Sequence, residues 1–94
     1  MPRRSLAEQI YQETENITEE PETSWLILYD FHEVKPNTRF WINIKRLTTH
    51  DPGSTLIQYS ALKTKSKRVV SATRRLVEHY RGAARVFRVE NVEI

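Results

Sequence analysis

Ser24-Trp25-Leu26-Ile27-Leu28-Tyr29-Asp30-Phe31 is the stretch on which the reading of the fold turns. Five large apolar or aromatic residues, Trp25 to Tyr29, stand in a row, followed by one carboxylate, Asp30, and then Phe31. An unbroken run of this length suits a short strand buried on both faces, so it predicts the central strand of a sheet. Asp30 falls where that strand ends. A carboxylate there either caps the following turn or acts as a ligand at the mouth of the sheet.

Beyond the strand, His32 to Thr38 reads as a loop around Pro36, with Asn37 or Thr38 as the N-cap of a helix from about Arg39 to Leu47. Phe40, Ile44 and Leu47 recur at helical spacing with Trp41 beside them, which gives that helix one apolar side. Thr49 to Ser54 contains a Pro-Gly pair and is a loop. Thr55 to Lys63 is rich in strand formers and fits one bent strand or two short ones meeting near Ser60. Ser66 is the expected cap of a second helix, which ends at Gly82, read as its left-handed terminator. Val69, Val70, Thr73, Leu76, Val77 and Tyr80 gather on one side of it, and Lys67, Arg68, Arg74, Arg75 and Arg81 on the other. A last strand starts near Ala84. The order is β-α-β(β)-α-β. With a hairpin in the middle it is βαββαβ, an α+β ferredoxin-like arrangement with an antiparallel sheet and two helices on one face. The other reading is a three-stranded module in which Thr55 to Lys63 is a single strand.

Residues 1–24 read differently. Ser5 with Glu8 makes a capping box, and Leu6, Ile10 and Tyr11 line one side of a short helix. The stretch after Glu13 is polar and acidic, too poor in apolar surface to offset its ordering entropy. The expected division is a flexible acidic extension over 1–24 and a folded domain over 25–94. A domain of that size has a small core, which favours a homodimer.

The two parts carry opposite charge, −4 over residues 1–24 and +7 over 25–94. A basic folded domain is the electrostatic footprint of a polyanion partner. Lys63, Lys65, Lys67 and Arg68 sit at a strand end, a loop and a helix start, where side chains and amides converge on phosphate, and Arg74 and Arg75 extend the cluster. No pair of aromatic residues marks a base-stacking platform, so backbone contact is expected rather than base reading. Duplex DNA ranks ahead of structured RNA. There are no cysteines, which removes disulfides and thiolate metal sites. His32, His50 and His79 are scattered and lack zinc-ligand spacing. No apolar run approaches a membrane span and no signal pattern opens the chain, so a soluble cytoplasmic protein without membrane association is expected.

Leu28-Tyr29-Asp30 at a strand end and Gln58-Tyr59-Ser60-Ala61-Leu62 further on resemble two short motifs of the CRISPR-associated Cas-two family. The resemblance covers residues 25–94. It implies a ferredoxin-like fold and a symmetric homodimer that bridges two integrase dimers during spacer acquisition in antiviral defence. In some members it also implies a magnesium-dependent nuclease, with the strand-end carboxylate as metal ligand. That role maps onto Asp30, as catalytic residue and as metal ligand shared across the dimer axis, and the family's arginine after the first strand maps onto Arg39. Two alternatives stand beside the scaffold: a metal-dependent endonuclease of the same fold, VapD-type toxin ribonucleases included, and a small DNA-binding regulator whose Ser66–Gly82 helix enters a groove.

Overall fold

Trp25 to Tyr29 does form the interior of a sheet. The computed structural model describes residues 5–20, 22–31, 38–58 and 60–89. Its elements are α1 (Leu6–Glu13), β1 (Ser24–Asp30), α2 (Thr38–Thr48), β2 (Thr55–Gln58), β3 (Ala61–Thr64), α3 (Lys67–His79) and β4 (Ala83–Val89). The sheet is antiparallel in the order β2-β3-β1-β4. After α1 the chain is therefore βαββαβ, the expected α+β ferredoxin-like arrangement. The segment Thr55 to Lys63 resolves into two strands, with a register shift between Leu56 and Gln58.

Burial on β1 differs from the expectation. Ile27 and Tyr29 are buried at 0% and 4% exposure, whereas Leu28 is 41% exposed. The strand is central in hydrogen bonding but covered on one face, because the helices pack together on the other side of it. Five consecutive apolar residues conceal the alternation that would have shown this. Directly paired residues of antiparallel strands share a face. The pairing therefore sets Lys63, Leu26 and Phe87 in one row of the uncovered face and Ala61, Leu28 and Arg85 in the next.

The covered face holds the core. Phe40, Ile44 and Leu47 of α2 are buried at the spacing the sequence gives them, as are Val69, Val70, Thr73, Leu76 and Val77 of α3. Ser66 caps α3, its Oγ accepting from Val69 N–H at 3.1 Å.

The N-terminal helix belongs to this core, where an extension standing apart was expected. Ser5 Oγ accepts from Glu8 N–H at 3.2 Å, the N-cap bond that the capping box requires. Ala7 and Ile10 are buried, and α1 packs on both α2 and α3. Ala7 N–H donates to Asn43 Oδ1 at 2.9 Å, while Asn43 Nδ2 donates to the Arg39 carbonyl at 2.8 Å. The buried amide is thereby paired at both ends, which locks α1 to α2.

The end of α3 departs from expectation in a second way. Arg81, not Gly82, holds the left-handed conformation, with φ 64°. Arg81 N–H donates to the Glu78 carbonyl and Gly82 N–H to the Val77 carbonyl at 2.9 Å, the paired bonds of a Schellman motif. Gly82 is required for space instead. A Cβ there would lie 2.7 Å from Val77 Cγ1, 2.8 Å from Phe31 Cε1 and 2.9 Å from the Asp30 carbonyl oxygen.

Candidate nucleic-acid interface

The cations divide into two sets once the chain is folded. Four of them meet carboxylates: Lys67 and Glu20 at 3.3 Å, Arg75 and Glu13 at 3.3 Å, Arg74 and Glu78 at 3.2 Å, and Arg88 and Glu20 at 3.9 Å. Arg68 turns inward. Its guanidinium donates to the Tyr11 carbonyl at 3.1 Å and to Thr14 Oγ1 at 3.2 Å, and lies 4.0 Å from the Tyr11 ring centroid. That residue anchors the N-terminal segment. Its own N–H, in the first turn of α3, donates to Glu19 Oε1 at 2.8 Å. Three of the acids in these contacts, Glu13, Glu19 and Glu20, lie within the first 24 residues. Of the expected phosphate cluster, Lys67, Arg68 and Arg75 thus contact the chain's own acidic stretch or the end of α1, Arg74 pairs within α3, and Lys63 and Lys65 do neither.

The other set is uncovered. Arg39, Lys45, Arg46, Lys63, Lys65, Arg81 and Arg85 make no ion pair with a carboxylate among the described residues. Lys63 and Arg85 stand on the uncovered sheet face, flanking Leu26, Leu28 and Phe87, of which Leu28 and Phe87 are 41% and 44% exposed. Phe87 is a residue the sequence reading missed. Arg85 and Arg88 do fall on opposite faces, as their spacing of three predicts: Arg85 pairs across from Leu28, and Arg88 from Trp25.

The connection that carries Lys65 is held by Asp51. Its carboxylate accepts from Thr64 Oγ1 at 2.6 Å, Lys65 N–H at 2.9 Å and Gly53 N–H at 3.1 Å, and Ser54 Oγ is 3.1 Å away. Burial by itself pushes the Asp51 carboxyl up, but the bonds from Thr64, Lys65, Gly53 and Ser54 together outweigh it and hold it below the usual value. A depressed acid contributes stability that is present above its unfolded pKa and is lost as pH falls through the folded one. Melting temperature should therefore fall on acidification below about pH 4, and fall less steeply in Asp51→Asn. Parallel curves for the two proteins would remove Asp51 from the acid transition.

Asp30 is exposed at the end of β1, paired in the sheet with Ala83. Among the described residues no group of three His, Cys, Asp or Glu side chains is placed to hold a metal ion. A magnesium ion at this strand end would need a second carboxylate or phosphate oxygens beside Asp30, and no catalytic step is derived through one. Glu33 and His32, the neighbours in sequence, lie outside the described residues, as do Tyr59 and the segment after Val89. His50 is used internally: its ring stacks on Tyr11 at 3.7 Å between centroids, and Nε2 lies 3.0 Å from Glu8 Oε1. His79 packs edge-on against Tyr80. Tyr29, whose hydroxyl is buried among the core rings, has its pKa pushed up to about 12 by burial. It therefore stays protonated near neutrality. No described helix is long and apolar enough to cross a membrane. No family model matches the chain, and no curated protein or solved structure matches it significantly.

Proposed function

We propose that the protein is a homodimeric nucleic-acid-binding scaffold that pairs through its uncovered sheet face and grips phosphate with the cations that lie off that face and pair with no carboxylate among the described residues. The observation that carries the reading is the uncovered set off that face: Arg39, Lys45 and Arg46 on α2, with Lys65 and Arg81 in the connections on either side of α3, none of them paired with a carboxylate among the described residues. Charge of one sign at this density, with no carboxylate paired to it among the described residues, attracts a polyanion and releases counterions when it binds. The sheet face supports the dimer. Leu28 and Phe87 lie adjacent on it and exposed, and a two-fold axis through the face would bury each twice. Full burial of one such side chain is worth roughly 1.5–3 kcal/mol.

In this reading Asp30 lies on the pairing face, two residues from Leu28, so two copies would bring their carboxylates to the same side. A bridging role between integrase dimers, as in spacer acquisition, draws its support from the resemblance of Leu28-Tyr29-Asp30 and Gln58 to Leu62. Magnesium-dependent cleavage would need phosphate oxygens or a second carboxylate beside Asp30, from the Asp30 of the second copy or from Glu33. Loss of cleavage in Asp30→Asn with duplex binding retained is the sign that would separate enzyme from scaffold.

The test combines sedimentation with anisotropy on a short duplex. Wild type should sediment as a dimer at micromolar concentration and Phe87→Glu as a monomer. Replacing Arg39, Lys45, Arg46 and Lys65, which lie off the pairing face, with Ala should make the log–log salt dependence shallower by about 0.9 for each phosphate that is no longer neutralised. A monomeric wild type removes the dimer, and duplex binding with an unchanged slope removes these four residues as the contact surface.

A further inference from the structure

The acidic stretch Glu13–Glu20 lies where the sequence alone would place phosphate. Glu19 Oε1 accepts from the Arg68 N–H in the first turn of α3 at 2.8 Å, where the helix dipole favours an anion. Glu20 sits between Lys67 of α3 at 3.3 Å and Arg88 of β4 at 3.9 Å, and Glu13 reaches Arg75 at 3.3 Å. Three carboxylates thus occupy the amide and cations that a run of phosphodiesters would engage. We infer that Glu13–Glu20 is an internal competitor for a second phosphate-binding surface on α3 and β4, and that nucleic acid must displace it to gain Lys67, Arg75 and Arg88.

Two details make the contact displaceable rather than purely architectural. The ion pairs are partly solvated, with side-chain exposures of 37% and 36% for Lys67 and Glu20 and of 46% and 62% for Arg75 and Glu13, so each is weak and screened by salt. The Glu20 contact is also imperfect. Its Oε2 is shielded from solvent but accepts no hydrogen bond, since Arg88 stops short at 3.9 Å. Part of the gain is therefore given back as desolvation. A phosphate backbone brings oxygens at regular spacing and can satisfy these donors better. The segment is anchored elsewhere, through Arg68 on Tyr11 and Thr14 and through Ala7 and Ile10 in the core. Residues 15–20 can leave α3, and the exposed Glu13 side chain can swing away from Arg75, while α1 and Thr14 stay docked.

This inference rests on the nucleic-acid reading, and its test separates the two. Glu19→Gln with Glu20→Gln removes two carboxylates that touch the surface. Glu15→Gln with Glu22→Gln removes the same charge from exposed positions that pair with no cation among the described residues. Duplex titrations over a salt series should show the first double variant binding about tenfold tighter than wild type, with a log–log slope steeper by about 1.8 for the two cations freed. The second should bind within about threefold of wild type at an unchanged slope. Equal gains in both doubles would mean that net charge alone acts, and would overturn the competitor while leaving nucleic-acid binding intact. Weaker or unchanged binding by the first double would overturn it as well. No duplex binding by any of the three proteins would overturn both readings together.

Discussion

Phe40→Ala should cost about 3–5 kcal/mol, enough to leave much of the population unfolded at room temperature in a domain of this size. Phe40 is fully buried, and its ring is the hub of the aromatic core. Tyr29, Phe31, Trp41 and Tyr80 meet it edge-on, with centroids 5.6, 4.9, 5.2 and 5.8 Å away. Those partners come from β1, the residue that follows it, α2 itself and the end of α3. Removing the ring therefore loses its transfer free energy and also leaves a cavity that the surrounding elements cannot close without moving apart. Phe40→Leu, which keeps most of the volume, should cost distinctly less. Urea denaturation of the three proteins checks this. A loss below about 1 kcal/mol in Phe40→Ala would mean that the rings do not converge as described.

Phe40 also shows what was legible in the sequence and why. Its helix repeats apolar residues at i, i+4 and i+7, a pattern that survives without any tertiary information, and α3 does the same over three turns. The middle of the chain lacked such a signal. Tyr59-Ser60 is not one of the glycine-rich pairs that announce a tight hairpin, and the register shift at Leu56 and Gln58 interrupts the alternation that would have identified two strands. On β1 the difficulty was of another kind. Leu26 and Leu28 are as apolar as Ile27, so position along the strand carries no information about which face is covered.

The candidate site was legible in composition and illegible in arrangement. Charge counted along the chain separates an acidic stretch from a basic domain but cannot show that the two are in contact. Residues 14–24, taken alone, bury too little apolar surface to offset their ordering entropy. In the folded chain Glu19 and Glu20 find α3 and β4, and Arg68 supplies hydrogen bonds to Tyr11 and Thr14. The one advance signal was the sign of the charge. An excess of acid close in sequence to an excess of base is an intramolecular ion-pair candidate before it is a linker.

Gly82→Ala should destabilise by about 1–3 kcal/mol and Gly82→Val by more, although the backbone at this position is one that any residue can adopt. The added Cβ would meet three atoms closer than 3.0 Å: Val77 Cγ1, Phe31 Cε1 and the Asp30 carbonyl oxygen. None of them is the free end of a flexible side chain. Val77 is fully buried in α3, Phe31 stands edge-on to Phe40 and Tyr29, and the Asp30 carbonyl belongs to the last residue of β1. Relief must come from moving the α3–β4 connection away from the end of β1, which also displaces the segment carrying Asp30. The neighbouring position sets the contrast. Arg81 is the residue in the left-handed conformation, so Arg81→Gly should be neutral or stabilising, by up to roughly 1 kcal/mol, as a Schellman glycine would be. Thermal and urea denaturation of Gly82→Ala, Gly82→Val and Arg81→Gly would reverse the assignment if Gly82→Ala were harmless and Arg81→Gly costly. Amide exchange should report the same displacement locally. Faster exchange at the residue-82 N–H, which in the wild type donates to the Val77 carbonyl at 2.9 Å, together with weaker protection along the paired ends of β1 and β4 at Asp30 and Ala83, is the expected signature in Gly82→Ala.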